Sequence, residues 1–98
     1  MILLIPADSK KYENAKIVSF DDRTCWIVLE MDKGYIKKCS FFDDRKQIED
    51  LVDYVIVKSS DEDIEEFLDE GIEVLVAPLQ IYAQDVVEAY RFRELHEI

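Results

Sequence analysis

The chain has 98 residues, 49% hydrophobic and 11% aromatic, enough for one folded domain over residues 1–98 with a single core and no room for a second. Twelve Lys and Arg stand against 23 Asp and Glu, a net charge of −11, which excludes the basic stripe that nucleic acids and anionic membranes require. The imbalance is local, because residues 1–48 carry nine bases and eight acids whereas residues 49–98 carry three and fifteen. With no secretory leader and no apolar stretch approaching the roughly 18 residues of a membrane span, the expected location is cytoplasmic. The two thiols, Cys25 and Cys39, are then expected to be reduced.

Ile2 to Ile5 form an apolar run without alternation, the pattern of a strand covered on both faces, and Pro6 ends it. Ser9 to Ala15 is polar and without period, so it reads as a loop, and Lys16 to Phe20 as a short added strand before the Asp21-Asp22-Arg23 turn. From Thr24 to Met31 the residues alternate, with Cys25, Ile27, Leu29 and Met31 on one face and Trp26, Val28 and Glu30 on the other. Turn chemistry at Asp32-Lys33-Gly34 then leads into Tyr35 to Phe42, which makes an antiparallel hairpin. Lys37 and Lys38 suit an outermost strand, since lysine on an exposed edge discourages pairing with other chains.

Asp44 and Gln47 have capping-box spacing, and Ile48, Leu51 and Val52 follow at helical spacing, which predicts a short helix. The unit Asp53 to Pro78 then reads as strand, helix and strand. Tyr54 to Val57 and Val74 to Ala77 are consecutive apolar runs. Between them Ser59 with Glu62, or Ser60 with Asp63, predicts a helix start, Ile64, Phe67 and Leu68 its inner face, and Gly71 its stop. Ala83, Val86, Val87 and Tyr90 mark a last helix that frays through Phe92, Leu95 and His96. The fold class is α/β: a single mixed five-stranded sheet, order 3-2-1-4-5, with three helices, the ribonuclease H-like arrangement.

Ligands of sheets with parallel strands collect beyond the carboxyl ends of those strands. Here that rim holds Asp8 after strand 1 and Lys58, Ser59 and Ser60 after strand 4. Lys58 and the amides of the following helix start are candidates for holding an anion. A two-metal nuclease site would need acidic residues within strand 1, and Ile2 to Ile5 supply none. The single histidine, His96, lies at the far end of the chain, and no Ser, His and Asp set is formed. The chain is therefore expected not to be an enzyme. The seven carboxylates between Asp61 and Glu70 read as the solvated face of a helix. Cys25 and Cys39, on two paired strands, are the candidate metal ligands, and as soft donors they suit iron-sulfur or zinc chemistry.

ILLIPAD at the start, VSFDDRTCWIVLEMDKG in the middle, VDYVIVKSSDEDIEEFLDEGIEVLVAP and DVVEAY together resemble the dinitrogenase iron-molybdenum cofactor family, the NifX and NifB C-terminal domain type. The similarity spans nearly the whole chain, and its clearest pieces are Pro6 with Asp8 and Gly71, Ile72 and Val74. It implies a ribonuclease H-like fold and a non-catalytic protein that binds iron-sulfur-based cofactor precursors or assists their assembly. A partner within a metal-cofactor assembly pathway is implied as well. Ser19-Phe20-Asp21 stands where the family has His-Phe-Gly, which adds Ser19 and Phe20 to the cofactor-binding candidates. Lys58-Ser59-Ser60-Asp61 replaces the family's glycine-rich turn. With that histidine and those glycines absent, the expectation is that this chain alone does not hold a cluster tightly. The alternative reading is an acidic protein-interaction module that kept the scaffold and lost the ligand site.

Overall fold

The computed structural model describes residues 1–98. β1 (Ile2–Ala7) lies inside the sheet, antiparallel to β2 (Cys25–Asp32) on one side and parallel to β4 (Tyr54–Val57) on the other. β3 (Tyr35–Phe42) extends the first side as the outermost strand, and β5 (Glu73–Val76) runs parallel to β4 on the second. A final strand, β6 (His96–Glu97), pairs antiparallel with β5, giving the order β3-β2-β1-β4-β5-β6. Lys37 and Lys38 thus sit exposed on an edge strand, where their charge keeps the open backbone from pairing with another chain.

The sheet is buried on both faces. Leu3, Ile5, Ile27, Leu29 and Ile56 point to one side, where α2 (Ala83–Arg91) packs through Ala83, Val86 and Val87. Leu4, Trp26, Val28, Val55 and Val57 point to the other, where α1 (Glu65–Asp69) contributes Phe67. The apolar run of β1 has this cause: neighbouring residues of a strand face opposite layers, and here both layers are dry. The hairpin turns at Lys33 and Gly34, with φ of 54° and 84°; two left-handed residues in succession match the twist of the flanking strands.

Four expectations are corrected. The sheet has six strands rather than five, because α2 does not fray through His96. Arg93 adopts φ 57°, and its N–H and that of Glu94 bond back to Tyr90 and Ala89. This left-handed cap reverses the chain, and His96 and Glu97 then reach Val76 and Leu75. There are two α-helices rather than three. The Asp44–Gln47 capping box forms, with Asp44 Oδ1 accepting from Lys46 N at 2.9 Å and Gln47 Oε1 from Asp44 N at 3.1 Å. It closes only a single 3-10 turn, Arg45–Gln47, before Ile48 becomes extended. Ile48 and Val52 pack on the sheet, but Leu51 is 90% exposed, so burial gives the helix no third anchor.

α1 also begins later than Ser59 or Ser60. Ser59 Oγ accepts from Asp61 N at 3.1 Å, while the Glu62 carboxylate accepts the N–H of Phe20 at 2.6 Å. Both members of the expected box are occupied elsewhere, and Ile64 stands at the N-cap without a side-chain bond. Lys16 to Phe20 forms only isolated bridges, Ala7 with Ile17 and Lys16 with Tyr82.

The helix stop at Gly71 has φ 78°, and a Cβ built there would meet nothing within 4 Å. Substitution therefore costs backbone strain alone, so Gly71→Ala is expected to lose about 1 kcal/mol in denaturant unfolding. A stabilised variant would contradict this.

Candidate functional site

The carboxyl ends of β1, β4 and β5 bring together Asp8, Lys58, Ser59 and the Pro78–Gln80 loop, but the side chains of Asp8, Lys58 and Ser59 are each engaged within the chain. Asp8 Oδ1 accepts from Lys16 N at 2.8 Å, tying the loop after β1 to the segment that returns beside it. Lys58 Nζ donates to the carbonyl of Gln80, and the Gln80 Oε1 beside it is buried without a donor. The rim thus presents an unfilled acceptor where an anion would need a donor. Ser59 caps its own turn, Ser60 is exposed, and Ser19 Oγ accepts from Asp22 N at 3.3 Å. Because α1 starts at Glu65, its first amides do not join Lys58 and Ser59.

Cys25 and Cys39 share a face of the hairpin but do not face each other. Cys39 lies opposite Leu29, four positions along β2 from Cys25, a separation of roughly 13 Å at the rise of a strand. Cys25 is buried with its thiol donating to the Ser9 carbonyl at 3.4 Å, and Cys39 is half-buried. Burial pushes both thiols above their ordinary value of 9.0, so the fold favours the protonated form, whereas a metal needs the thiolate. No three Cys, His, Asp or Glu side chains converge where one ion could be held. This donor set does not fit an iron-sulfur cluster within one chain.

A concavity of about 910 Å³ lies on the Trp26 face of the sheet, between the Ser19–Arg23 loop, the Arg45–Gln47 turn and α1. Its floor is aromatic: Phe20 lies 5.5 Å from Trp26 and 5.4 Å from Phe67, and Trp26 lies 6.2 Å from Phe67, centroid to centroid. Two arginines stack on this floor. Arg23 sits 4.9 Å over the Trp26 ring and Arg45 4.2 Å over the Phe67 ring, where a guanidinium meets the negative face of the π system. Arg45 also donates to Glu66 at 3.0 Å and to Glu70 at 2.8 Å, with its side chain only 20% exposed. It joins the 3-10 turn to α1 as both wall and clamp. Of the residues proposed from sequence, Phe20 alone belongs to this floor. The alternation of β2 placed Trp26 away from Cys25, but Trp26, Phe67, Arg23 and Arg45 meet only through tertiary packing.

On the opposite layer, burial pushes the Tyr12 hydroxyl from 10.0 up to about 12, and Tyr54 and Tyr90 are raised for the same first cause. A tyrosine raised by folding contributes stability that is complete below the unfolded value and is lost as pH rises through the folded one. Stability is therefore expected to fall between pH 10.0 and about 12, and Tyr12→Phe to flatten that fall. An unchanged alkaline profile in Tyr12→Phe would contradict it.

No protein-family model matches the chain, and no curated protein matches it. Solved structures do. A crystal structure of a Methanocaldococcus jannaschii protein provisionally named a dinitrogenase superimposes with a TM-score of 0.79 at 23% identity, covering 100% of this chain and 94% of that one. An NMR structure of a protein of that provisional name from Methanococcus jannaschii gives 0.75 at 24%, covering 100% and 92%. An NMR structure of a Thermotoga protein, provisionally named NifB and placed in the DUF35 family, gives 0.78 at 14%, covering 98% and 91%. From end to end, the chain has the α/β fold of these dinitrogenase- and NifB-named proteins.

Proposed function

We propose that this chain is a non-catalytic accessory protein of metal-cofactor assembly, built on the scaffold of the NifX and NifB C-terminal type and acting through protein contacts rather than by holding a cluster tightly alone. The observation that carries the reading is the end-to-end similarity in fold to proteins bearing dinitrogenase and NifB names. The sequence resemblance through Pro6, Asp8, Gly71, Ile72 and Val74 supports the same scaffold. The engagement of Asp8, Ser19, Lys58 and Ser59 with the chain's own backbone supports the second half of the proposal. Each of these four groups already satisfies a loop. Cys25 and Cys39 hold a cluster only if a second molecule supplies further thiolates, since a cluster takes four such ligands.

The test is anaerobic reconstitution with iron and sulfide followed by gel filtration with visible absorption. The monomer is expected to elute colourless, with any colour confined to a dimer or to a complex with a cluster-bearing protein. Stoichiometric colour on the monomer would overturn the proposal.

A further inference from the structure

The Trp26 groove contains two demands that one ligand must meet together. Trp26 is 3% exposed, lines the groove, and its indole N–H is buried without an acceptor; buried donors are nearly always paired, and an unpaired one invites an acceptor. Around it the lining carries eight carboxylates against three bases, a field that draws cations. Several of these groups are spent internally, Glu66 and Glu70 on Arg45 and Glu62 on Phe20 N. Asp21, Asp50 and Asp61 remain exposed. A metal ion or a polyamine answers the charge but brings no acceptor for the indole. An anion brings the acceptor but meets the wrong charge.

We propose that this groove docks a basic, extended peptide segment of a partner protein, a backbone carbonyl accepting from the Trp26 indole N–H while arginine or lysine side chains meet the carboxylate rim. Arg23 indicates what the floor accepts. It is an exposed residue whose guanidinium lies 4.9 Å over the indole and whose Nη1 donates to the Phe20 carbonyl at 2.6 Å. An incoming arginine replaces that contact like for like, and Arg23, anchored by nothing more, swings to solvent. The electrostatic part of the recognition sets the encounter rate and makes it sensitive to salt. The site shares Phe20 with the cofactor-binding candidates but uses neither Asp8, Lys58 and Ser59 at the strand ends nor the cysteines.

The chain has one tryptophan, so its nitrogen–proton correlation spectrum carries one indole resonance, a direct reporter. The intact protein is titrated with a capped peptide of alternating arginine and glycine, with the same peptide carrying glutamate for arginine, and with spermine. The arginine peptide is expected to move the indole resonance saturably to lower field, and the glutamate peptide and spermine to leave it in place. The triple variant Asp21→Asn, Asp50→Asn, Asp61→Asn, entirely at exposed positions, is expected to bind about tenfold more weakly. Trp26→Phe keeps a ring on the floor while deleting the donor, and is expected to bind several-fold more weakly by calorimetry. An indole resonance that never moves, a triple variant of unchanged affinity, or an equal shift with spermine would each overturn the proposal. Colour on the monomer after reconstitution leaves this shift untouched, so the two readings fail separately.

Discussion

Leu3→Ala and Leu4→Ala are expected to destabilise the protein by similar amounts, about 2–5 kcal/mol each, although the two residues are adjacent and point in opposite directions. Both are fully buried, Leu3 against the layer containing Ile27, Leu29 and Val86, and Leu4 against the layer containing Trp26, Val55 and Phe67. Each truncation removes apolar area from a packed layer and leaves a cavity that neighbouring strands cannot close, because the sheet holds them at fixed spacing. A sheet open to water on one face would tolerate one of the two. Leu51→Ala, at a residue 90% exposed, is the matched control and should change stability by less than about 0.5 kcal/mol. Denaturant unfolding of the three variants measures all of this, and a tolerated Leu3→Ala or Leu4→Ala would contradict the two-layer account.

Phe67→Ala is expected to cost about 3–5 kcal/mol, a large share of the roughly 5–15 kcal/mol by which a small domain is stable. α1 has only five residues, no side-chain cap and Phe67 as its one buried residue, so packing rather than propensity holds it in place. The ring meets Phe20 and Trp26, and Arg45 stacks on it while gripping Glu66 and Glu70. Removing the ring detaches the helix, the clamp and the groove floor together. The fluorescence of Trp26 should shift to the red as its shelter opens. A Phe67→Ala variant with native stability and an unshifted spectrum would show that α1 is held by something other than this contact.

Much of the sheet was legible because its signals are local. Ile2 to Ile5 and Val74 to Ala77 lack alternation since both sides are covered. Cys25 to Met31 alternates in a way that matches the two layers, and Gly71 marks a left-handed stop. What was not legible depended on competition for partners. Asp44 with Gln47 signals a chain turn but not how far a helix continues, and the exposure of Leu51 decided that. Ser59 with Glu62 has the spacing of a helix start, yet Phe20 N, 42 residues away in sequence, claims the glutamate. β6 is two residues long, too short to carry a pattern. The candidate site was readable as a rim but not as an exhausted one, because Asp8 and Lys58 are spent on backbone that only the fold brings beside them, although the turns capped by Ser19 and Ser59 are local. The groove joins Phe20, Trp26, Arg45 and Phe67 from four segments, which no window along the chain contains.

The most direct measurement of the central claim, that the scaffold alone is not a tight cluster carrier, is native mass spectrometry under anaerobic conditions after exposure to iron and sulfide. It is run on the wild type and on the Cys25→Ala, Cys39→Ala double variant. The account predicts a monomer at its apo mass in both, with any cluster-bearing species of the wild type at the mass of two chains and abolished in the variant. A monomer carrying a cluster in both proteins would contradict it, and would assign the ligands to groups here found bonded to the backbone, Asp8 first among them.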